Sequence, residues 1–192
     1  MSLVQDILHF WFGQPGSALR GSFRDAWFKK DPAFDDEIRR HFLGTTEAAA
    51  RGEHDRWQVD PEGALALVLA LDQFPRNLYR GSPKAFAADS KARAVASAAI
   101  DRGFDRGLPS SERLFFYLPF EHSESLADQE LSVELFKRLA EDDPSRAEIV
   151  PYALRHQEII QRFGRFPHRN VALGRESTDD EIAFLKEPMS AF

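Results

Sequence analysis

Three short stretches of this 192-residue sequence gather side chains that could do chemistry: LDQFPRN (residues 71–77), PFEHSE (119–124) and RHQEIIQRFGRFPHRN (155–170). Arg76, Arg165 and Arg169 offer guanidinium forks that match carboxylates and phosphates, and Asn77 and Asn170 add amide donors beside them. If the two Phe-Pro segments meet, they form a positive pocket in an acidic protein. Glu121, His122 and Glu124 share one short loop, where side chains held by a rigid scaffold often act. His122 or His156 could serve as acid or base, with Glu121 orienting the imidazole. Asp72, Gln73, Arg76, Asn77, Glu124, Arg165, His168, Arg169 and Asn170 are the candidates for holding a ligand, and a small anion is the ligand class they suit.

Each of these groups also has a purely structural reading. Asp72 at a helix carboxyl end opposes the macrodipole and calls for a compensating cation such as Arg76, Arg165 or Arg169. Ile149, Tyr152, Ala153, His156, Ile160 and Phe163 fall on one helical face, so His156 sits inside an apolar stripe. A histidine so placed is more often a satisfied core residue than a catalyst, and a facing carboxylate would favour the second role.

Other chemistries find little footing. His122, His156 and His168 offer metal-ligating nitrogens, but no two histidines stand four apart as on a helical zinc motif, so no metal site is assigned. Ser123 lacks the glycines of a nucleophile elbow, and neither GxxxxGK[ST] nor GxGxxG occurs. The sequence has no cysteine, which removes thiolate catalysis and disulfides. No cofactor is implied.

Helices must position these residues. Apolar residues recur at three and four nearly everywhere and nowhere alternate convincingly at two, so the chain reads as all-α with about eight helices. Asp31-Pro32 and Asp60-Pro61 are start signals, a good cap followed by proline at the first helical position. Gly52 is expected to end the first of these helices. The second, apolar all round from Ala64 to Leu71, should be central and stop at Phe74-Pro75. Ser82-Pro83 is expected to open an alanine-rich helix, and Pro119 to stop or kink an aromatic one. Ser125 with Asp128 resembles a capping box, as does Thr178 with Glu181. A helix from Arg146 to Phe163 should be kinked or divided at Pro151 and ended by Gly164.

Composition narrows the class further. Seventeen Phe and three Trp in a chain that is 43% hydrophobic predict an aromatic core. The length fits a single domain spanning residues 1–192. The net charge of −6, with signs interspersed, weighs against nonspecific nucleic-acid binding. The apolar start MSLVQDILHFWFG carries Asp6 and His9 and lacks a basic region, so it reads as a helix and not a signal. No apolar stretch approaches the ~20 residues of a membrane helix. A soluble, cytoplasmic protein is the expectation, and its oligomeric state stays open.

Together, ILHFWFG, LALVLALDQFPRNLYRG, FYLPFEHSE, RHQEIIQRFGRFPHRN and STDDEIAFL closely resemble the family known as domain of unknown function 924, found chiefly in bacteria. The resemblance covers nearly the whole chain. It implies an all-helical fold similar to tetratricopeptide-like antiparallel superhelices, and it implies no established activity. The 34-residue tetratricopeptide consensus itself is not readable here.

Three functional readings therefore stand together. One is a site for a small anionic ligand, with hydrolysis or proton transfer as its chemistry. Another is a tetratricopeptide-like scaffold that presents a groove to a peptide or protein. In the third, the motifs form an internal polar network that satisfies the ends of helices.

Overall fold

The computed structural model describes residues 2–192, and among these there are helices and no strands. Two compact units emerge among the described residues: residues 2–80 with 84–119, and residues 81–83 with 120–192. Among the described residues, no helix is long and apolar enough to cross a membrane.

The first unit is organised by its aromatic residues. Helix α1 (Leu3–Phe12) starts with a capping box between Ser2 and Gln5 and buries Trp11 and Phe12. Helix α2 (Pro32–Ala50) is capped by Asp31, which accepts from the amides of Ala33 and Phe34, and Gly52 follows it in a left-handed conformation. Trp11 touches the rings of Trp27, Phe34, Phe74 and Phe115 at centroid distances between 5.5 and 6.2 Å. Aromatic pairs at such spacings add directional attraction to the burial of large apolar surfaces.

Helix α3 (Pro61–Val68) is capped by Asp60 and packs against α1. It is buried on every side from Gly63 onward, as its uniformly apolar sequence predicts. It does not stop at Phe74-Pro75. A π-helical turn, Leu69–Gln73, leads directly into α4 (Phe74–Leu78). There the amide of Phe74 bonds to the carbonyl of Leu69, five residues back. The wider turn accommodates Pro75, which has no amide hydrogen and would crowd the carbonyl four residues back in a regular α-helix.

One further boundary differs from expectation. Ser82-Pro83 opens only a short turn of 3-10 helix, Pro83–Ala85, and the alanine-rich helix α5 begins at Asp89 and runs to Asp101. Helix α6 (Ser110–Glu121) continues past Pro119, and the division between the two units falls at that proline.

In the second unit, α7 (Leu126–Asp142) packs along α8 (Val150–Phe163). Pro151 does divide the expected helix: Pro144–Ile149 is 3-10, and α8 takes the proline within its first turn. Gly164 ends α8 with φ 67°. Ser125 precedes α7 but makes no side-chain cap; Ser123 bonds to Asp128 instead, at 2.5 Å. Short helices α9 (Asn170–Leu173) and α10 (Asp179–Phe184) follow, the second with the predicted capping box of Thr178 and Glu181.

Candidate functional site

The LDQFPRN residues work within the first unit. Asp72 is fully buried on the π turn, where Gln73 donates to its Oδ2 at 2.7 Å. Arg76 grips Asp89 through both terminal guanidinium nitrogens at 2.9 Å, and its Nη1 reaches the Asp72 carbonyl oxygen at 2.8 Å and carboxylate at 3.2 Å. The helix continues through Pro75, so Asp72 and Arg76 stay four apart on one face and pair as helix neighbours. Asn77 donates to Asp35, which Arg80 also holds in a fork. Burial raises the pKa of Asp35, but the hydrogen bonds from Arg80 and Asn77 outweigh it and hold the carboxyl below its ordinary range. Each candidate of this motif is thus engaged by a carboxylate or an amide of the same unit. The partners Asp35 and Asp89 have no sequence signal to single them out.

The other two motifs come together in the second unit. The Glu124 carboxylate accepts from both ends of the Arg175 guanidinium, at 2.7 and 2.9 Å, and from the amide of Phe166 at 2.8 Å. Burial pushes its pKa up, yet these bonds prevail and keep it below the ordinary value. Arg165 pairs with Glu181 through Nε at 2.6 Å and Nη2 at 2.8 Å. Asn170, fully buried, donates to Ser177 and Glu181 and accepts from Arg175. Arg165, with help from Thr178 and Asn170, holds the Glu181 carboxyl down at about 2 against the effect of burial.

Arg175 and Glu181 organise both loops, yet neither is among the site residues expected from sequence. Glu181 is visible there only as a helix cap, whereas Arg175 lies in a polar stretch with no pattern. Phe-Pro also plays different parts in the two motifs. At Phe74-Pro75 it sits inside a helix; at Phe166-Pro167, Gly164 has already ended α8 and the proline opens a 3-10 turn.

The remaining candidates gather around the ring of Phe166. The imidazole of His156 lies 5.5 Å from it edge-on, His168 lies at 5.6 Å, and the Arg169 guanidinium stands 4.4 Å from its centroid. Arg169 also donates to the carbonyl of His122 at 2.9 Å, which joins the two loops. Glu121 is the carboxylate facing His156, with Oε1 3.5 Å from Nδ1 and both side chains buried.

His156 holds one defined tautomer. Its Nδ1 lies 2.8 Å from the carbonyl oxygen of Tyr152, an acceptor only, so Nδ1 carries the proton and Nε2 keeps its lone pair. Burial drives its pKa down to about 3; the Tyr152 carbonyl opposes this, while His122, Arg169 and His168 add to the depression. The ring is therefore neutral at physiological pH, and its contact with Glu121 is polar without being an ion pair.

A separate cleft of about 460 Å³ in the same unit is lined by Arg162, Phe163, Arg165, Thr178, Asp180 and Glu181. Among the described residues, no group of three or more His, Asp or Glu side chains is placed to hold a metal ion.

A family model described as a bacterial protein of unknown function (DUF924) matches residues 7–189, which include all three motifs. The chain belongs to the DUF924 family. A solved structure of a protein of unknown function from Agrobacterium tumefaciens is similar to it at 41% identity, over 96% of this chain and 97% of that one, with a TM-score of 0.85. No curated protein matches the chain. For this DUF924 chain, any functional reading therefore rests on the chemistry of its own side chains.

Proposed function

We propose that this protein binds a small anionic ligand in its second unit, beside Glu121, His122, His156, His168 and Arg169, and that His156 accepts a proton from that ligand. The observation that carries this reading is the buried His156 imidazole, locked with its proton on Nδ1 and with three basic side chains near enough to lower its pKa. Such surroundings favour an incoming negative charge. Once an anion is bound, it offsets the positive Arg169 guanidinium and raises the imidazole pKa, which brings Nε2 toward the range where a general base is effective. Glu121, at Nδ1, favours the imidazolium that forms. Arg76 and Arg165, each held by carboxylates, are assigned structural parts. The reaction class consistent with this set is proton transfer or hydrolysis on a small anion.

NMR titration of the histidine ring signals with inorganic phosphate and glycolate, paired with thermal shifts, tests the reading. Binding should raise the His156 pKa and the melting temperature, since a ligand that prefers the folded state stabilises it. Arg169→Lys, which keeps the charge but not the fork, should weaken both responses, and Arg162→Ala should leave them intact. Ring signals that ignore both anions in the wild-type protein would overturn the reading.

A further inference from the structure

Helix α10 ends at Phe184, and residues 186–192 that follow form neither helix nor strand. This segment brings Phe192 over the histidines. The Phe192 ring stacks on the imidazole of His156 with centroids 3.8 Å apart and planes 26° from parallel, and it meets His168 edge-on at 6.0 Å. His156 beneath it is only 4% exposed, whereas Phe192 itself is 49% exposed. The ring thus covers the imidazole while half of its own surface stays in water.

The segment that delivers this ring is lightly held. Arg155 donates to the carbonyl of Met189 at 3.2 Å, and Ser190 donates to the carbonyl of Leu185 at 3.2 Å. Glu187 lies 3.6 Å from the partly buried Arg155 and 3.9 Å from Arg162, and the second of these is an exposed pair of the kind that contributes little in water. Met189 has φ 54°, in the left-handed region that favours glycine, so the backbone bends there against its own preference. A flat slot with an imidazole floor, His168 at its side and Phe166 near its base is filled by the half-exposed ring of Phe192.

We infer that the slot above His156 is a subsite for a planar aromatic or heteroaromatic ring carrying an anionic group, and that Phe192 occupies it until such a ligand displaces residues 186–192. This deepens the anion-site reading and rests on it. A ligand ring in the place of Phe192 stacks on the imidazole, and its anionic substituent reaches toward His168 and Arg169. Phe192 then competes with the ligand, so an unoccupied site stays covered and water is kept from His156.

Calorimetric titration of the wild-type protein and Phe192→Ala with benzoate and phenyl phosphate, against acetate and inorganic phosphate, tests this. Benzoate and phenyl phosphate should bind Phe192→Ala up to about tenfold more tightly than wild type, the scale of one aromatic stacking contact, while acetate and inorganic phosphate bind both proteins alike. In wild-type protein, the ring-current shift that Phe192 imposes on the His156 ring protons should be lost in Phe192→Ala and return on adding benzoate. Equal gains for all four ligands, or no gain for the aromatic pair, would overturn the subsite. If acetate and phosphate bind with Arg169 dependence, that outcome leaves the anion reading standing; if no anion binds either protein, the anion reading has failed as well.

Discussion

Arg175 holds Glu124 in a two-pronged grip, with Nη1 at 2.7 Å from one carboxylate oxygen and Nη2 at 2.9 Å from the other. The same Nη2 bonds to the Phe166 carbonyl, while Glu124 takes the Phe166 amide. The two side chains together clasp the main chain of Phe166, the residue around which the histidines assemble.

Arg175→Ala should therefore cost about 2 kcal/mol, the usual worth of hydrogen bonds to a charged group, and lower the melting temperature by roughly 4–8 °C. Arg175→Lys keeps the charge and loses the fork, so it should recover only part of this. Thermal unfolding of the two variants checks the prediction. The NMR signal of His156 should move in both, because its neighbour Phe166 is no longer clasped.

Two glycines within helices should respond oppositely to alanine. A Cβ on Gly63 would stand 2.1 Å from the carbonyl oxygen of Trp57, a backbone atom in a 3-10 turn, whereas a Cβ on Gly44 meets nothing within 4 Å. Gly44→Ala should stabilise the protein by about 1 kcal/mol through helix propensity alone. Gly63→Ala gains the same propensity but must displace main chain, and the overpacking should leave it about 1–3 kcal/mol less stable. Urea unfolding of both variants measures the contrast.

Stability should fall as the pH drops below neutrality, for reasons that can be separated. The His156 pKa is depressed from 6.5 to about 3 in the folded protein, so between these values the unfolded chain binds a proton that the folded one does not. Its contribution is full above pH 6.5 and is lost progressively down to about 3, with a slope of up to about 1.4 kcal/mol per pH unit. The Glu181 carboxyl, lowered from 4.5 to about 2, acts in the same direction over that more acidic window. His156→Phe should flatten the profile between pH 6.5 and 4.5, and Glu181→Gln only below 4.5. Urea unfolding across about pH 7 to 4 gives these slopes, and a wild-type slope retained in His156→Phe would contradict a buried neutral imidazole.

Periodicity and caps make most of the helical framework legible in the amino-acid sequence itself. Asp31, Asp60 and Thr178 cap the helices they precede, and Gly164 stops α8. These are local effects, settled by side chains within a few residues of the backbone groups they satisfy. The uniformly apolar run after Asp60 likewise announces a buried helix. What local rules do not resolve is Phe-Pro: the same dipeptide continues a helix through a π turn at Pro75 and follows a finished helix at Pro167. Packing of Phe74 against Trp11 and Phe42 sits at the first, and the left-handed Gly164 precedes the second.

The candidate site divides in the same way. The residue types of PFEHSE and FPHRN, and the place of His156 on an apolar stripe, are evident from sequence alone, and the expected facing carboxylate is Glu121. The direction of each guanidinium is not. Arg76 turns to Asp89, thirteen residues on, and Arg165 to Glu181, sixteen on, while Glu124 finds Arg175 fifty-one residues away. Long flexible cations have many carboxylates within reach of their sequence neighbourhood, and only the packed helices decide which one is near. Sequence thus determined that the protein is helical, where its helices are capped and which side chains could act. Tertiary structure alone decided which charges are paired and that the ring of Phe192 lies on His156, because both depend on distances between segments that no local rule sets.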